Sequence, residues 1–190
     1  MRRLVVSEFL TLDGVMEDPG GQSEFKHKGW SRPYWDDEIG KFKLAELMAA
    51  DALLLGRITY QGFAAAWPSA KDEAGFADRM NGLPKYVVST TLDQADWNNS
   101  TIIKSDIVRE VARLKQQDGQ DILIGGSGQL IQTLAQHGLI DDYYLLVYPV
   151  VLGSGARLFR DGTEATLKLV ESRSYASGVV LVHYRAITGE

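Results

Sequence analysis

Cysteine is absent from these 190 residues. Without thiols there is neither a disulfide framework nor a thiolate metal site. Histidine is scarce, and His27, His137 and His183 stand apart from one another, which does not suit the clustered ligands of a tetrahedral metal centre. Nor is there an excess of positive charge. The chain has 20 basic against 25 acidic residues, for a net charge of −5, so the basic surface that a nucleic-acid backbone requires is missing. No apolar run approaches the roughly 18 residues of a membrane span. The opening MRRLVVSEFL carries Glu8 inside its one apolar stretch, which is too short for a signal-peptide core. The expectation is a soluble cytoplasmic protein that binds no metal, no membrane and no nucleic acid.

What is present is a 45% share of hydrophobic residues, enough for one domain over residues 1–190 with a full core. Apolar residues over 4–12 read as a strand that ends in the Asp13-Gly14 turn. Residues 17–33 are rich in Gly, Pro and charge and form a long loop, a length that usually marks a functional or mobile segment. Ile39, Phe42, Ala45 and Met48 recur at helical spacing over 36–50. A buried strand at 52–55 runs into Gly56-Arg57, and the helix at 59–66 stops at Trp67-Pro68. A strand at 86–88 ends in Ser89-Thr90-Thr91. Ser105 or Asp106 can cap a helix that turns Ile107, Val108, Val111 and Leu114 inward, with Gly119 as its stop. Strands at 143–151, 167–175 and 179–185 complete the chain, the last two as a hairpin about Ser177-Gly178. Strands alternating with helices predict an α/β fold with a mixed, mainly parallel sheet flanked by helices, because a parallel neighbour is reached only through a crossover.

Two strand-to-helix junctions carry the chemistry. In DILIGGSGQLIQTL, Gly125, Gly126, Ser127 and Gly128 lie between a strand and a helix. The third glycine of a dinucleotide fingerprint is missing, as is its ribose-binding acid, so the motif is not a Rossmann turn. A glycine turn at a helix start still offers unpaired N–H donors and partial positive charge to an anion. Equally, the glycines could simply supply positive φ angles for a tight turn. The second junction, ALLLGRITY, sets Arg57 and Thr59 at another helix start, and a guanidinium forks well onto phosphate. In a parallel sheet both junctions fall on the carboxyl edge where such folds bind ligands. Ser89, Thr90 and Thr91 fall on the same edge, as hydroxyl donors or as a plain strand end.

Taken in order after TLDGV, the stretches LLLGRITYQGF, KYVVSTTL, DILIGGSGQLIQTL and YPVVLGSGARLF resemble the dihydrofolate-reductase-like superfamily. Within it the chain is most similar to the reductase domain of the bifunctional riboflavin-biosynthesis deaminase-reductase and its stand-alone bacterial relatives. The resemblance implies an NADPH-dependent reductase, and relatives suggest a homodimer. It sets Gly56, Arg57 and Thr59 at the 2′-phosphate and pyrophosphate, and Ser89, Thr90 and Thr91 at the adenosine end. Gly125, Gly126, Ser127, Gly128, Gln129 and Leu130 would wrap the pyrophosphate. Phe9 and Met16 would border the nicotinamide, with the long loop as a lid.

Hydride addition to a C=N bond also needs a proton on nitrogen. Folate reductases carry an acid early in the first helix, a place held here by Glu38. Its spacing to Phe42, Ala45 and Ala49 puts it at the top of the apolar stripe. As one of three consecutive acids, it also suits a helix dipole without any catalytic role. Asp13 is the alternative catalytic carboxyl, or simply a turn residue. Trp35 and Phe42, with Trp30 and Trp67 as further candidates, could line the pocket of a planar substrate or belong to core and rim. Gly153-Ser154-Gly155 reads as a connection or subunit contact. The leading expectation is a reductase nearest to 5-amino-6-(5-phosphoribosylamino)uracil reductase. The alternatives are a dihydrofolate reductase and a non-catalytic, dimeric NADPH-binding protein. No deaminase portion accompanies it, since the His/Cys zinc pattern is lacking.

Overall fold

The computed structural model describes residues 1–187. Its strands are β1 (Leu4–Thr11), β2 (Ala50–Gly56), β3 (Lys85–Val88), β4 (Ser100–Ile103), β5 (Asp121–Gly125), β6 (Asp142–Tyr148), β7 (Leu167–Ser174) and β8 (Val180–Ala186). The helices are α1 (Asp37–Ala49), α2 (Arg57–Ala66), α3 (Phe76–Gly82), α4 (Ile107–Gln116) and α5 (Gly128–Gln136). All eight strands join one sheet in the order β4-β3-β2-β5-β1-β6-β8-β7. Neighbours from β4 to β6 pair in parallel, while β8 and β7 add an antiparallel hairpin. The fold is therefore the mixed, mainly parallel α/β sheet that the alternation of elements predicts.

Side chains alternate across each strand, and both faces are covered, as a parallel sheet requires. On one face Val5, Leu53, Leu55 and Leu123 pack against Leu47 of α1, Tyr60 of α2 and Met80 of α3. On the other, Leu4, Val6, Ile122 and Ile124 meet Val111 and Leu114 of α4 and Ile131 and Leu134 of α5. Each such aliphatic side chain contributes about 1.5–3 kcal/mol by leaving water. A third cluster, around Trp30, Ile39, Leu146 and Tyr148, closes the α1 side beneath the long loop.

Several local expectations change. Helix α1 does not bury Ala45 and Met48, which are exposed, but Ile39 and Leu47, with Lys43 and Glu46 partly sheltered between them. A stripe that includes an ion pair is invisible to hydrophobic periodicity. Strand β4 is only four residues long and pairs with β3 at the sheet edge. Helix α3 is short, and its first N–H groups are held by Asp72, which accepts from Phe76 at 2.9 Å and Ala77 at 2.6 Å. Neither short element stands out in the sequence. Strand β6 stops at Tyr148 rather than at 151, because Pro149 cannot donate to the ladder. Asp106 does occupy the N-cap of α4, but in the left-handed region and with no side-chain cap bond.

Candidate active site

Strand order brings the expected site residues to one edge. Strands β3, β2, β5 and β1 are consecutive and parallel, so Ser89, Gly56, Gly125 and the Phe9–Thr11 end follow one another along the carboxyl edge. The register confirms the alignment, with Gly56 opposite Val88 and Ser7 opposite Gly125.

The two glycine junctions are bonded to each other. The Ser127 N–H donates to Thr59 Oγ1 at 2.9 Å, and the Gly56 N–H donates to Ser127 Oγ at 2.9 Å. Gly126 and Ser127 both adopt positive φ, 61° and 65°. At Gly126 a Cβ would stand 2.7 Å from Thr59 Oγ1, so glycine is required there both for conformation and for the approach of α2. Neither α2 nor α5 has a side-chain cap or an acid in its first turn. The first intrahelical bond of α5 runs from Ile131 to Ser127, which leaves the N–H groups of Gly128, Gln129 and Leu130 without an intrahelical acceptor. Such a turn fits a pyrophosphate. By contrast, α1 is capped by Asp36, which accepts from the Ile39 N–H, and carries Asp37 and Glu38 in its first turn.

Around this core the candidates differ in placement. Arg57 is exposed at the start of α2, where its guanidinium donates to Gln61 at 3.1 Å. Ser89 is buried, and its Oγ accepts from Thr91 at 3.2 Å and Leu92 at 2.9 Å, so it shapes the turn, while Thr90 and Thr91 are exposed. Gln129 is exposed, whereas Leu130 lies in the core. Met16 reaches Gly128, its Sδ 2.9 Å from the position of an added Cβ. Gln22, in the same loop, lies 3.0 Å from a Cβ built on Gly62 of α2, so the loop after β1 reaches across to α2. Trp30 anchors that loop by donating its indole N–H to Glu17 O at 2.8 Å. Phe9, Trp35 and Tyr148 form an aromatic group, with Phe9 centroids 6.3 Å from Trp35 and 5.2 Å from Tyr148. Phe42 packs on Tyr144 at 5.7 Å. Trp67 lies against Phe63 and Phe76, apart from these rings.

Of the two carboxyls expected to be catalytic, Glu38 lies at the surface and Asp13 is held just past the end of β1. Glu38 does not top the buried stripe; it is exposed and pairs with Lys41 at 2.7 Å, because Ile39 takes the inward position at the helix start. Asp13 accepts from the Thr11 hydroxyl at 2.6 Å and from the N–H groups of Leu152 and Gly153 at 3.2 and 2.8 Å. The Thr11 bond, aided by these backbone donors, lowers its pKa to about 2. Asp13 thus ties the end of β1 to the loop after β6. Gly155 packs on the same segment, where a Cβ would stand 2.7 Å from Val15.

A polar cluster that periodicity conceals lies on the α1 side of β1. Lys43 Nζ donates to Ser7 Oγ at 2.6 Å and to Glu46 Oε2 at 2.5 Å, and stands 5.6 Å from the Phe9 ring centroid. Glu8, the next residue on β1, turns to the opposite face of the sheet, on the side of Leu4, Val6 and Leu10, where it is buried, and the Gly126 N–H faces its carboxyl. Burial pushes its pKa well above the usual carboxylate range, with Lys43 opposing and Glu46 reinforcing the shift. The one visible signal was Glu8 inside LVVSEFL, a charge where a central strand should be apolar. Among the described residues no group of His, Cys, Asp and Glu could hold a metal ion, and no helix is long and apolar enough to cross a membrane.

Known proteins share this architecture. The family model described as RibD C-terminal domain matches residues 2–181. The uncharacterized protein YyaP of Bacillus subtilis (strain 168) is 33% identical over 187 residues, which cover 96% of this chain and 94% of YyaP. A structure assigned to riboflavin biosynthesis in Shewanella sp. PV-4 superimposes with a TM-score of 0.75 at 19% identity, covering 98% of this chain and 99% of the other. The Thermotoga maritima diaminohydroxyphosphoribosylaminopyrimidine deaminase/5-amino-6-(5-phosphoribosylamino)uracil reductase gives 0.63 at 16% identity, covering 98% of this chain and 57% of that one. Dihydrofolate reductase of Enterococcus faecalis, solved with NADP(H), gives 0.62 at 14%, with 97% and 96% covered. At these identities the structural likeness shows the fold, and the sequence match shows the lineage. The chain belongs to the RibD C-terminal domain family, built on the sheet of dihydrofolate reductase.

Proposed function

We propose that the protein is an NADPH-dependent reductase of a pyrimidine or pterin-like heterocycle, nearest in chemistry to 5-amino-6-(5-phosphoribosylamino)uracil reductase. The observation that carries this reading is the pair of uncapped helix starts joined through Thr59 and Ser127. Two anion-binding ends held side by side suit a ligand with phosphates at two places. The N–H groups of Gly128, Gln129 and Leu130 would hold the pyrophosphate, and the exposed guanidinium of Arg57 the 2′-phosphate. Thr90 and Thr91 fit the adenosine end, and Phe9 and Met16 the border of the nicotinamide. When bound, NADPH supplies the hydride. The loop from Met16 to Trp30 would exclude water from the cleft. Glu38 faces solvent and Asp13 is engaged with the loop after β6, so the proton that follows the hydride is assigned to water rather than to either carboxyl.

A homodimer completes the reading. The edge strand β7 exposes Leu169 and Val170 at 50% and 48%, and such an edge calls for a cover. The test of function is NADPH oxidation followed at 340 nm with the phosphoribosylaminouracil and with dihydrofolate. Turnover of the uracil compound supports the reading. Turnover of dihydrofolate alone would reassign the substrate, and cofactor binding without turnover of either would make the protein a binding module.

A further inference from the structure

An arginine without a counter-ion stands beside the first turn of α5. Arg160 Nη2 lies 3.8 Å from a Cβ built on Gly128. The side chain is half-buried, and among the described residues Arg160 bonds only through its backbone, to Thr163. A cation placed there faces the positive end of the helix and the free N–H groups of Gly128, Gln129 and Leu130. Nothing nearby offsets it. Helix α5 has no acid in its first turn, and Asp161 and Glu164, which follow Arg160, are exposed and make no ion pair with it. Beneath the turn lies Glu8, on the α5 face of β1 and only 4% exposed. Burial raises its pKa well above the usual carboxylate range, which favours the neutral acid, and its Oε1 has no partner among the described residues. A neutral carboxyl is a donor. Donors and positive charge thus converge on the glycine turn from below, from the helix and from Arg160, with no acceptor between them, and an anion supplies that acceptor.

The position of the guanidinium is set by the segment that carries it. Leu158 is buried in the cluster that holds Leu130 and Ile131 of α5, and the Phe159 ring centroid lies 6.1 Å from that of Tyr143. Bonds of 3.2 and 2.9 Å close the turn from Arg160 to Thr163. The same segment is fastened to the end of β1 and the start of the long loop. The Leu158 N–H donates to Gly14 O at 3.2 Å, the Met16 N–H to Ala156 O at 2.8 Å, and the Ala156 N–H to Glu17 Oε2 at 2.8 Å. Helices α2 and α5 pack on opposite faces of the sheet, so Arg57 and Arg160 approach the glycine edge from its two sides. We infer that Arg160 binds the diphosphate of the nucleotide across the first turn of α5, while Arg57 takes the 2′-phosphate. This rests on the cofactor reading and adds to it a second cation, carried by the loop after β6. A guanidinium spans two phosphate oxygens, and the free N–H groups of α5 take others. Arg160 therefore selects a diphosphate ester and does not tell NADPH from NADH, which separates its role from that of Arg57.

The test is isothermal titration of the wild type, R160M, R160K and R157M with NADPH and with NADH, and of the wild type and R160M with inorganic pyrophosphate. The guanidinium makes no bond to the described residues, so R160M should keep the wild-type urea midpoint. It should weaken NADPH and NADH by the same factor, about tenfold or more, the size of a charge-assisted bond, and weaken pyrophosphate as well. R160K keeps the charge without the fork and should recover part of the loss. R157M removes a charge from the same segment, where the Arg157 guanidinium is turned to Asp13 O, and should leave both nucleotides within about twofold of the wild type. Unchanged Kd values in R160M would overturn the proposal, as would a loss confined to NADPH or an equal loss in R157M. A wild-type protein that binds pyrophosphate through Arg160 but neither nucleotide would overturn the cofactor reading and leave the anion site in place.

Discussion

The hydroxyl of Thr59 accepts the backbone N–H of Ser127, 68 positions away in sequence, at 2.9 Å. The bond fixes the start of α2 against the start of α5, so the two helix starts move as one. Substituting Thr59 by Val keeps the shape and leaves the Ser127 N–H unpaired, which costs about 1–3 kcal/mol. T59V should therefore lower the urea midpoint and weaken NADPH, whereas T59S, which keeps the hydroxyl, should do neither to the same extent.

Gly126 faces a double restriction, with φ of 61° and Thr59 Oγ1 2.7 Å from any added Cβ. The left-handed backbone alone costs a non-glycine residue about 1–2 kcal/mol. G126A should be less stable than that figure implies, because the side chain also displaces α2. G126A/T59A removes the collision but not the backbone cost, so it should recover part of the stability, measured by thermal unfolding.

Arg57 tests cofactor choice. Its guanidinium is exposed and, among the described residues, its one side-chain acceptor is Gln61, so its removal does not disturb the core. R57A should weaken NADPH by about tenfold or more, the size of a charge-assisted bond, and NADH by much less. Isothermal titration with both nucleotides checks this; equal losses would remove Arg57 from the 2′-phosphate.

Lys85 is wholly buried at the start of β3. Its ammonium donates to the carbonyls of Asn81, Leu83 and Asn98 at 2.9, 2.7 and 2.9 Å and stands 4.2 Å from the Trp97 ring centroid. Burial pulls its pKa down to about 8. K85M would leave three carbonyls without that donor and should cost about 3 kcal/mol or more, read from the urea midpoint, while NADPH binding to folded protein stays intact.

What the sequence disclosed and what it concealed follow from how each feature is encoded. Glycine turns are legible because a positive φ or a close approach demands glycine itself, as Gly126 shows. The parallel sheet is legible because Leu53, Leu54 and Leu55 or Ile122, Leu123 and Ile124 cannot face water on either side. Helix α1 is misleading, since Lys43 and Glu46 read as solvent-facing until β1 is laid against them. Glu38 is misplaced for the same reason, because a one-residue rotation decides whether a helix residue faces in or out. The partners of Asp13, Leu152 and Gly153, come from far along the chain, beyond the reach of local pattern.

Glu8 predicts a pH dependence. Burial raises its pKa well above the ordinary 4.5, so the folded protein holds a proton that the unfolded chain releases. Its contribution is fully present below the unfolded value and is lost as pH rises through the folded one. Gln cannot ionise, so E8Q should show a shallower loss of stability from about pH 5 upward than the wild type. Parallel pH profiles of the two proteins would count against a buried, protonated Glu8.

The central claim is that the glycine edge of β2 and β5 holds NADPH. A calorimetric titration of the purified protein with NADPH and with NADH tests it most directly. Saturable binding of NADPH, about tenfold or more tighter than NADH, is the predicted result. No heat with NADPH, or equal affinity for the two nucleotides, would contradict it.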